Sequence, residues 1–474
     1  MRQLVKKTLP FHFLLCAAAL LAGAFASSAA RATGGVEPLT DILNGAGSAG
    51  LGFVTRVEAS PYLGAGTRYD LLPLYLYEGG RVFLHANRAG LKLMNGGDQG
   101  QGARLDVFVE QRLEGFPVGD RLPASLAGMA PRDSGVDLGL AYSYREPWGT
   151  LKAELVQDIG KTSRGREARL GYSYGWRSGP WSLRPSVSVA FRNAKLNDYY
   201  YGVLPGEATA SRPAYAPGAG VNSQVGLYGS YDLSQRWRLL AGVSATYLGN
   251  SIKDSPIVQK RVLPALYIGA AYDFGGHKRE WAEESSPTYL KVLYGKSTEP
   301  SCHLAKIITA RCFSTASINP TSISGVQVGK PFIDQVNGWP LDLAGYVGIT
   351  HHDERGLQAN GLQVDVFMKA SYTGFPWSNR VKTRLGLGVG LSAAQRVPYT
   401  EVSSQAGKTT SRLLNYLDPT LDISLGDLVG STALKNTYIG FGVSHRSGIF
   451  GSSRLLGNVN GGSNYLYTYL ETAL

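Results

Sequence analysis

His445 and Ser447 stand two residues apart in the run Tyr438-Ile439-Gly440-Phe441-Gly442-Val443-Ser444-His445-Arg446-Ser447. In a strand, successive side chains point to opposite faces, so both fall on one side. An imidazole close to a hydroxyl can take its proton, which is the core of nucleophilic ester cleavage. Ile439, Phe441 and Val443 share that side, and the small residues Gly440, Gly442 and Ser444 share the other. In a narrow barrel the bulky apolar side meets lipid. His445 and Ser447 then continue a lipid-facing stripe at the strand's end, where polar side chains are costly unless they are used. The plain alternative is two interfacial residues closing a strand.

Other chemistry-bearing residues are fewer. Cys302 and Cys312 flank His303 to Arg311 in a loop, and an even pair in an oxidising compartment reads as a loop-closing disulfide. His303 beside Cys302 could suggest a metal, but two further ligands are not in view. His351-His352-Asp353-Glu354 leads into Arg355-Gly356 and reads as a solvated turn, since adjacent strand residues point apart. His85 and His277 are solitary and read as structural. Phosphate-binding glycine loops, zinc spacings and nucleotide fingerprints are absent, so neither cofactor nor metal is expected.

The elements that must position these residues follow a two-residue beat. Val136, Leu138, Leu140, Tyr142 and Tyr144 alternate with Asp137, Gly139, Ala141, Ser143 and Arg145. Trp181, Leu183, Val187, Val189 and Phe191 alternate with Ser182, Arg184, Ser186, Ser188 and Arg192. Leu362, Val364, Val366 and Met368 alternate with Gln363, Asp365 and Lys369. Each run is about ten residues, enough for a tilted strand to cross a hydrocarbon core. Residues 1–32 read as a cleaved export signal: Arg2, Lys6 and Lys7 precede a largely apolar Leu9 to Phe25. Small-residue sites follow at Ala24-Phe25-Ala26 and Ala30-Arg31-Ala32. Alternating strands behind such a signal predict an all-β fold: transmembrane antiparallel up-and-down barrels in the outer membrane of a Gram-negative cell.

Composition agrees. The chain holds 60 Gly for turns and crowded walls, and its 27 Tyr outnumber 15 Phe and 7 Trp together, as suits side chains with an apolar body and an interfacial hydroxyl. Beyond the N-terminus there is no run of about 18 apolar residues, which argues against helical spans. Without the four basic residues of 1–32, the chain has 43 Lys/Arg against 35 Asp/Glu. That excess is unclustered and accompanies no nucleic-acid motif, so phosphorylated lipopolysaccharide is the expected acidic neighbour.

Strands are predicted near 49–57, 69–77, 80–86, 102–113, 135–145, 148–158, 166–177, 181–193, 218–231, 235–249 and 262–274. A barrel with both ends in the periplasm needs an even number, so these eleven imply a twelfth, placed before residue 102. A charged stretch, 276–287, breaks the beat and reads as a linker. Eight strands follow, near 288–296, 321–330, 340–350, 360–373, 381–393, 417–426, 436–447 and 463–473, with a polar insert at 397–415. The direct reading is a barrel of 10–12 strands over 33–275 followed by an eight-stranded barrel over 288–474; one barrel of about twenty strands is the alternative.

The first half resembles the MipA/OmpV family of outer-membrane proteins from about residue 45 to 275. The resemblance rests on Ser60-Pro61-Tyr62, Tyr69-Asp70-Leu71-Leu72-Pro73-Leu74 and Gly80-Arg81-Val82-Phe83-Leu84. It continues in Leu126-Ala127-Gly128-Met129 with Arg132, in Tyr199-Tyr200-Tyr201-Gly202-Val203, in Pro213 to Gly220, and in Asp254-Ser255-Pro256-Ile257-Val258. It implies an outer-membrane barrel and, in some members, a scaffold holding a lytic transglycosylase near a peptidoglycan synthase. The second half, over about 288–474, resembles the PagL family of lipid A 3-O-deacylases, eight-stranded barrels with a Ser-His-Glu triad. That resemblance is sharp at His445-Arg446-Ser447 and the glycine-rich stretch after it. It implies Ser447 as nucleophile and His445 as base. The slot of the Glu falls on Asn464, within Gly461-Gly462-Ser463-Asn464, and Asn can orient an imidazole without stabilising its charge. Glu471 lies seven residues on and on the opposite face. Three functions stay open: an envelope scaffold, a lipid A ester hydrolase, and a diffusion pore.

Overall fold

The computed structural model describes residues 49–95, 101–116, 122–274, 287–404, 410–453, 456–457 and 459–474. The expected signal, 1–32, and the linker stretch apart from its last residue lie outside the described residues, as does His277.

Two closed antiparallel sheets follow one another. The first comprises β1 (Ala49–Ala59), β2 (Thr67–Glu78), β3 (Val82–His85), β4 (Arg88–Asn95), β5 (Gly102–Gln111), β6 (Val136–Glu146), β7 (Gly149–Asp158), β8 (Arg166–Ser173), its short continuation β9 (Trp176–Ser178), β10 (Trp181–Arg192), β11 (Gly220–Asp232), β12 (Trp237–Tyr247) and β13 (Val262–Asp273). Neighbours pair in order, and β1 pairs with β13, which closes a ring of twelve when β8 and β9 count as one. The twelfth strand is β4, in the interval before residue 102. The second sheet comprises β14 (Tyr289–Ser297), β15 (Ser322–Ile333), β16 (Leu341–Asp353), β17 (Gly361–Tyr372), β18 (Thr383–Ala394), β19 (Leu413–Ser424), β20 (Thr437–Ser447) and β21 (Gly462–Ala473), closed by β14 against β21. The single large barrel is thereby excluded. One boundary needs correction: β19 begins at Leu413 instead of 417. Of the two readings open for the 397–415 insert, a loop or a short helix, Tyr399–Ser404 is a short helix.

The beat assigns faces as expected. Leu138, Leu140, Tyr142 and Trp181 are exposed outward, while Asp137 and Ala141 are buried inside. Trp148 stacks near Tyr172 and Trp237 meets Tyr272 edge-on at the short-turn end, forming part of an aromatic belt. The lumen of the first barrel is filled with ion pairs. Arg88 pairs with Glu110 and Glu154, Arg169 with Glu110 and Glu167, and Arg112 with Asp137 and Glu167, each within 2.6–2.7 Å. At the long-loop end Tyr62, Phe116, Leu126, Tyr200, Tyr201 and Ile257 form an apolar cap. Arg132 locks it by a 2.6 Å pair with Glu207. Burial opposes the Glu207 charge, yet hydrogen bonds from Arg132 and from the Leu204 and Ala130 amides hold its carboxyl below the ordinary range. A filled, capped lumen does not favour the diffusion-pore reading. His85, expected to be solitary, has its Nε2 2.6 Å from Glu78 Oε2.

The two barrels lie side by side along the outward face of β2. The Tyr77 and Phe332 rings are 5.1 Å apart, the Leu71 amide donates to the Ser452 carbonyl at 2.9 Å, and the Tyr75 hydroxyl donates to Asn415.

Candidate functional site

His445, Ser447 and Asn464 sit at the long-loop end of the second barrel, on its outward face. The register pairs His445 with Asn464 and Ser447 with Gly462, so the last turn of β20 and the first of β21 bring the three together. Two glycines permit the close approach. A Cβ on Gly462 would meet the Arg446 carbonyl oxygen at 1.6 Å, and one on Gly448 would meet the Val459 carbonyl oxygen at 2.0 Å. All three site residues are half-buried.

His445 Nδ1 lies 2.7 Å from Asn464 Oδ1. An amide oxygen only accepts, so Nδ1 carries the proton and Nε2 is left with its lone pair, the tautomer a general base needs. Ser447 is not bonded to His445. Its Oγ accepts the Ile449 amide at 3.3 Å across the turn that follows β20. That turn is strained: Ile449 and Phe450, neither a glycine, have φ of 49° and 54°. The structure thus joins base and orienter and keeps the hydroxyl in a separate contact on the same face. Glu471 points into the lumen, bonded to Arg384 at 2.7 Å and the Tyr346 hydroxyl at 3.1 Å, and takes no part.

A strap covers the wall below the site. Cys302 and Cys312 form a disulfide. The loop they close contains the helix Leu304–Ile308, and Cys302 and Ile307 pack on Val443 and Leu466, the next outward residues of β20 and β21. Val443 is therefore 3% exposed where the sequence pattern placed it against lipid. Beyond the strap, Tyr294, Phe313, Thr315, Phe441 and Thr468 line an open apolar groove. Closing a loop of this size restricts the unlinked strap by roughly 2–3 kcal/mol. Cys302→Ser should therefore speed limited proteolysis within 298–321 several-fold while the barrel stays folded. Unchanged cleavage would show that packing alone holds the strap.

The run from His351 to Glu354 departs from the expected solvated turn. His351 and His352 belong to β16, and His352 is buried with Nε2 2.9 Å from Gln363 Oε1. Glu354 is buried and accepts the Tyr399 amide and the Gln358 side chain, each at 3.2 Å. Burial pushes its carboxyl above the ordinary range against those two bonds. Among the described residues His, Cys, Asp and Glu nowhere gather in threes as metal ligands. Sequence reasoning missed Glu401 and Arg446, which face each other inside the mouth at 2.6 Å. A lone acid in the 397–415 insert and an inward Arg between His445 and Ser447 were the available signals.

Residues 51–274 match the family described as MltA-interacting protein MipA. The chain is similar to the MltA-interacting protein of Escherichia coli (strain K12), 24% identical over 229 residues, covering 48% of this chain and 91% of that protein. OmpV of Vibrio cholerae is 31% identical over 150 residues, 32% of this chain and 58% of its own length. Among solved structures, the anion-selective porin from Comamonas acidovorans aligns over 90% of this chain and 98% of its own, at 12% identity and a TM-score of 0.19, too low to support an argument.

Proposed function

We propose, from the premise that residues 51–274 are an outer-membrane barrel of the MipA type, that the chain couples an envelope scaffold to a second barrel that hydrolyses acyl esters of lipid A. The observation that carries the reading is the His445–Asn464 hydrogen bond of 2.7 Å on the outward wall, with Ser447 two residues along the same face. Ser447 Oγ attacks the ester carbonyl as His445 Nε2 takes its proton. The alkoxide leaving group then departs with that proton as the sugar hydroxyl, leaving an acyl-serine. Water, deprotonated by the same imidazole, attacks the acyl-serine, and the released Ser447 oxygen recovers the proton. Ser447 must first leave its contact with the Ile449 amide; catalytic hydrogen bonds in empty sites are often loose in this way. The resemblance of this barrel to PagL supports the 3-position ester as substrate.

Asn464 holds the tautomer but offers no charge to the imidazolium, so the wild-type enzyme is expected to be slow. Asn464→Glu should raise kcat by about 10- to 100-fold on a chromogenic acyl ester in detergent, and Asn464→Ala should lower it. If the Glu variant falls below wild type, the acid slot lies elsewhere. The MipA match also supports a scaffold role for the first barrel, docking a lytic transglycosylase at its periplasmic turns, and the family resemblance adds a peptidoglycan synthase as the second partner. Affinity purification from cross-linked cells tests this, and the absence of both enzymes would count against it.

A further inference from the structure

Arg446 separates His445 from Ser447 and points the other way, into the barrel, where it is 1% exposed. Nε donates to Glu401 Oε1 at 2.6 Å. Nη1 donates to Ser392 Oγ at 2.8 Å and to the Ser392 carbonyl at 3.2 Å, and Nη2 donates to the Ser411 and Arg412 carbonyls at 3.2 and 3.1 Å. The same Glu401 oxygen accepts the Ser463 hydroxyl at 2.8 Å. Ser463 is the cross-strand partner of Arg446 and the chain neighbour of Asn464. One buried carboxylate oxygen therefore ties together, from inside the wall, the two residues whose immediate neighbours carry the outward site. Glu401 rides on the helix Tyr399–Ser404, whose first amide is fixed by Glu354.

We propose that Glu401 and Arg446 are positioning residues for acyl-ester cleavage at His445 and Ser447, a clamp on the luminal side that holds β20 and β21 in register behind the site. The inference rests on the hydrolase reading. Its physical basis is the shared peptide plane: in a strand, an inward side chain that donates to five acceptors fixes the backbone that aims its outward neighbours. β20 ends at Ser447, and a strand end beside a long loop frays unless it is held. A misplacement of about 1 Å at reacting groups is enough to cost roughly 100-fold in rate.

The test compares full-length Glu401→Ala, Glu401→Gln and Arg446→Lys in detergent micelles. Heat-dependent gel mobility reads the fold, ester hydrolysis reads kcat and KM, and nitrogen NMR of the His445 ring reads its bond to Asn464. The expected result for folded Glu401→Ala is a 10- to 100-fold lower kcat with KM little changed, on the scale of such a misplacement, and loss of the bonded Nδ1 signal. Glu401→Gln keeps the accepting oxygen and should restore most of both. Wild-type kcat and an unchanged His445 spectrum in folded Glu401→Ala would overturn the proposal. If Glu401→Ala does not fold, Arg446→Lys is read by the same criteria. If the wild type hydrolyses nothing, the hydrolase reading falls, and the His445 spectrum alone decides the clamp: a changed spectrum supports it and an unchanged one refutes it.

Discussion

Ser447→Ala is expected to reduce acyl-ester turnover by about 1,000-fold or more, to the level of the uncatalysed reaction plus whatever binding contributes. Single-turnover kinetics with the purified protein is the measurement. The size of the effect follows from the chemistry: removing the nucleophile deletes the covalent route, whereas removing an orienting group only weakens it. The fold should be untouched, because Ser447 is the last residue of β20 and its Oγ makes one 3.3 Å contact in the described structure. A variant that keeps more than a tenth of wild-type activity would remove Ser447 from the mechanism. His445→Ala should be nearly as damaging, and the double variant should be no worse than the worse single one, since the pair acts as a unit.

Arg112→Ala is expected to destabilise the first barrel by about 3–5 kcal/mol, since it leaves buried carboxylates without their shared cation. Arg112 lies 2.6 Å from both Asp137 and Glu167 and 3.0 Å from Glu114. Glu114 and Glu167 keep Arg192 nearby, but Asp137 has no second pair of that kind among the described residues. Removing one guanidinium thus exposes three acids to one another in a closed lumen. Urea titration followed by tryptophan fluorescence checks this, with the loss appearing as a lower midpoint. Replacing Asp137 as well should recover part of the loss; if Arg112→Ala unfolds at the wild-type midpoint, the network does not hold the barrel.

Barrel architecture was legible wherever one face of a strand is uniformly apolar. β6, β10 and β17 announce themselves because lipid outside and charge inside leave no ambiguity of period. β4 was hidden for three reasons. Only Ala86 and Asn87 separate it from β3; its inward positions include Arg88 and Lys92; and a register shift between Lys92 and Met94 leaves both Leu93 and Met94 exposed, which breaks the alternation. β19 was read late because Leu413 and Leu414 are adjacent apolar residues, and Leu414 is buried at the mouth.

That His445 and Ser447 share one outward face was legible because they are two apart on one strand. The inner clamp was not: Glu401 and Arg446 are 45 residues apart and meet only once β18 to β21 have curved round the mouth. The strap was half legible. Two cysteines predicted a closed loop, but nothing in their spacing says that the loop folds down onto Val443 and Leu466.

The most direct test of the central claim is mass spectrometry of lipid A from Gram-negative cells with and without this protein, and with its Ser447→Ala variant. Expression of the wild-type protein should yield a lipid A species lacking the 3-position acyl chain, and that species should be absent with Ser447→Ala at equal outer-membrane abundance. Identical lipid A profiles in all three strains, with the protein folded in the outer membrane, would contradict it.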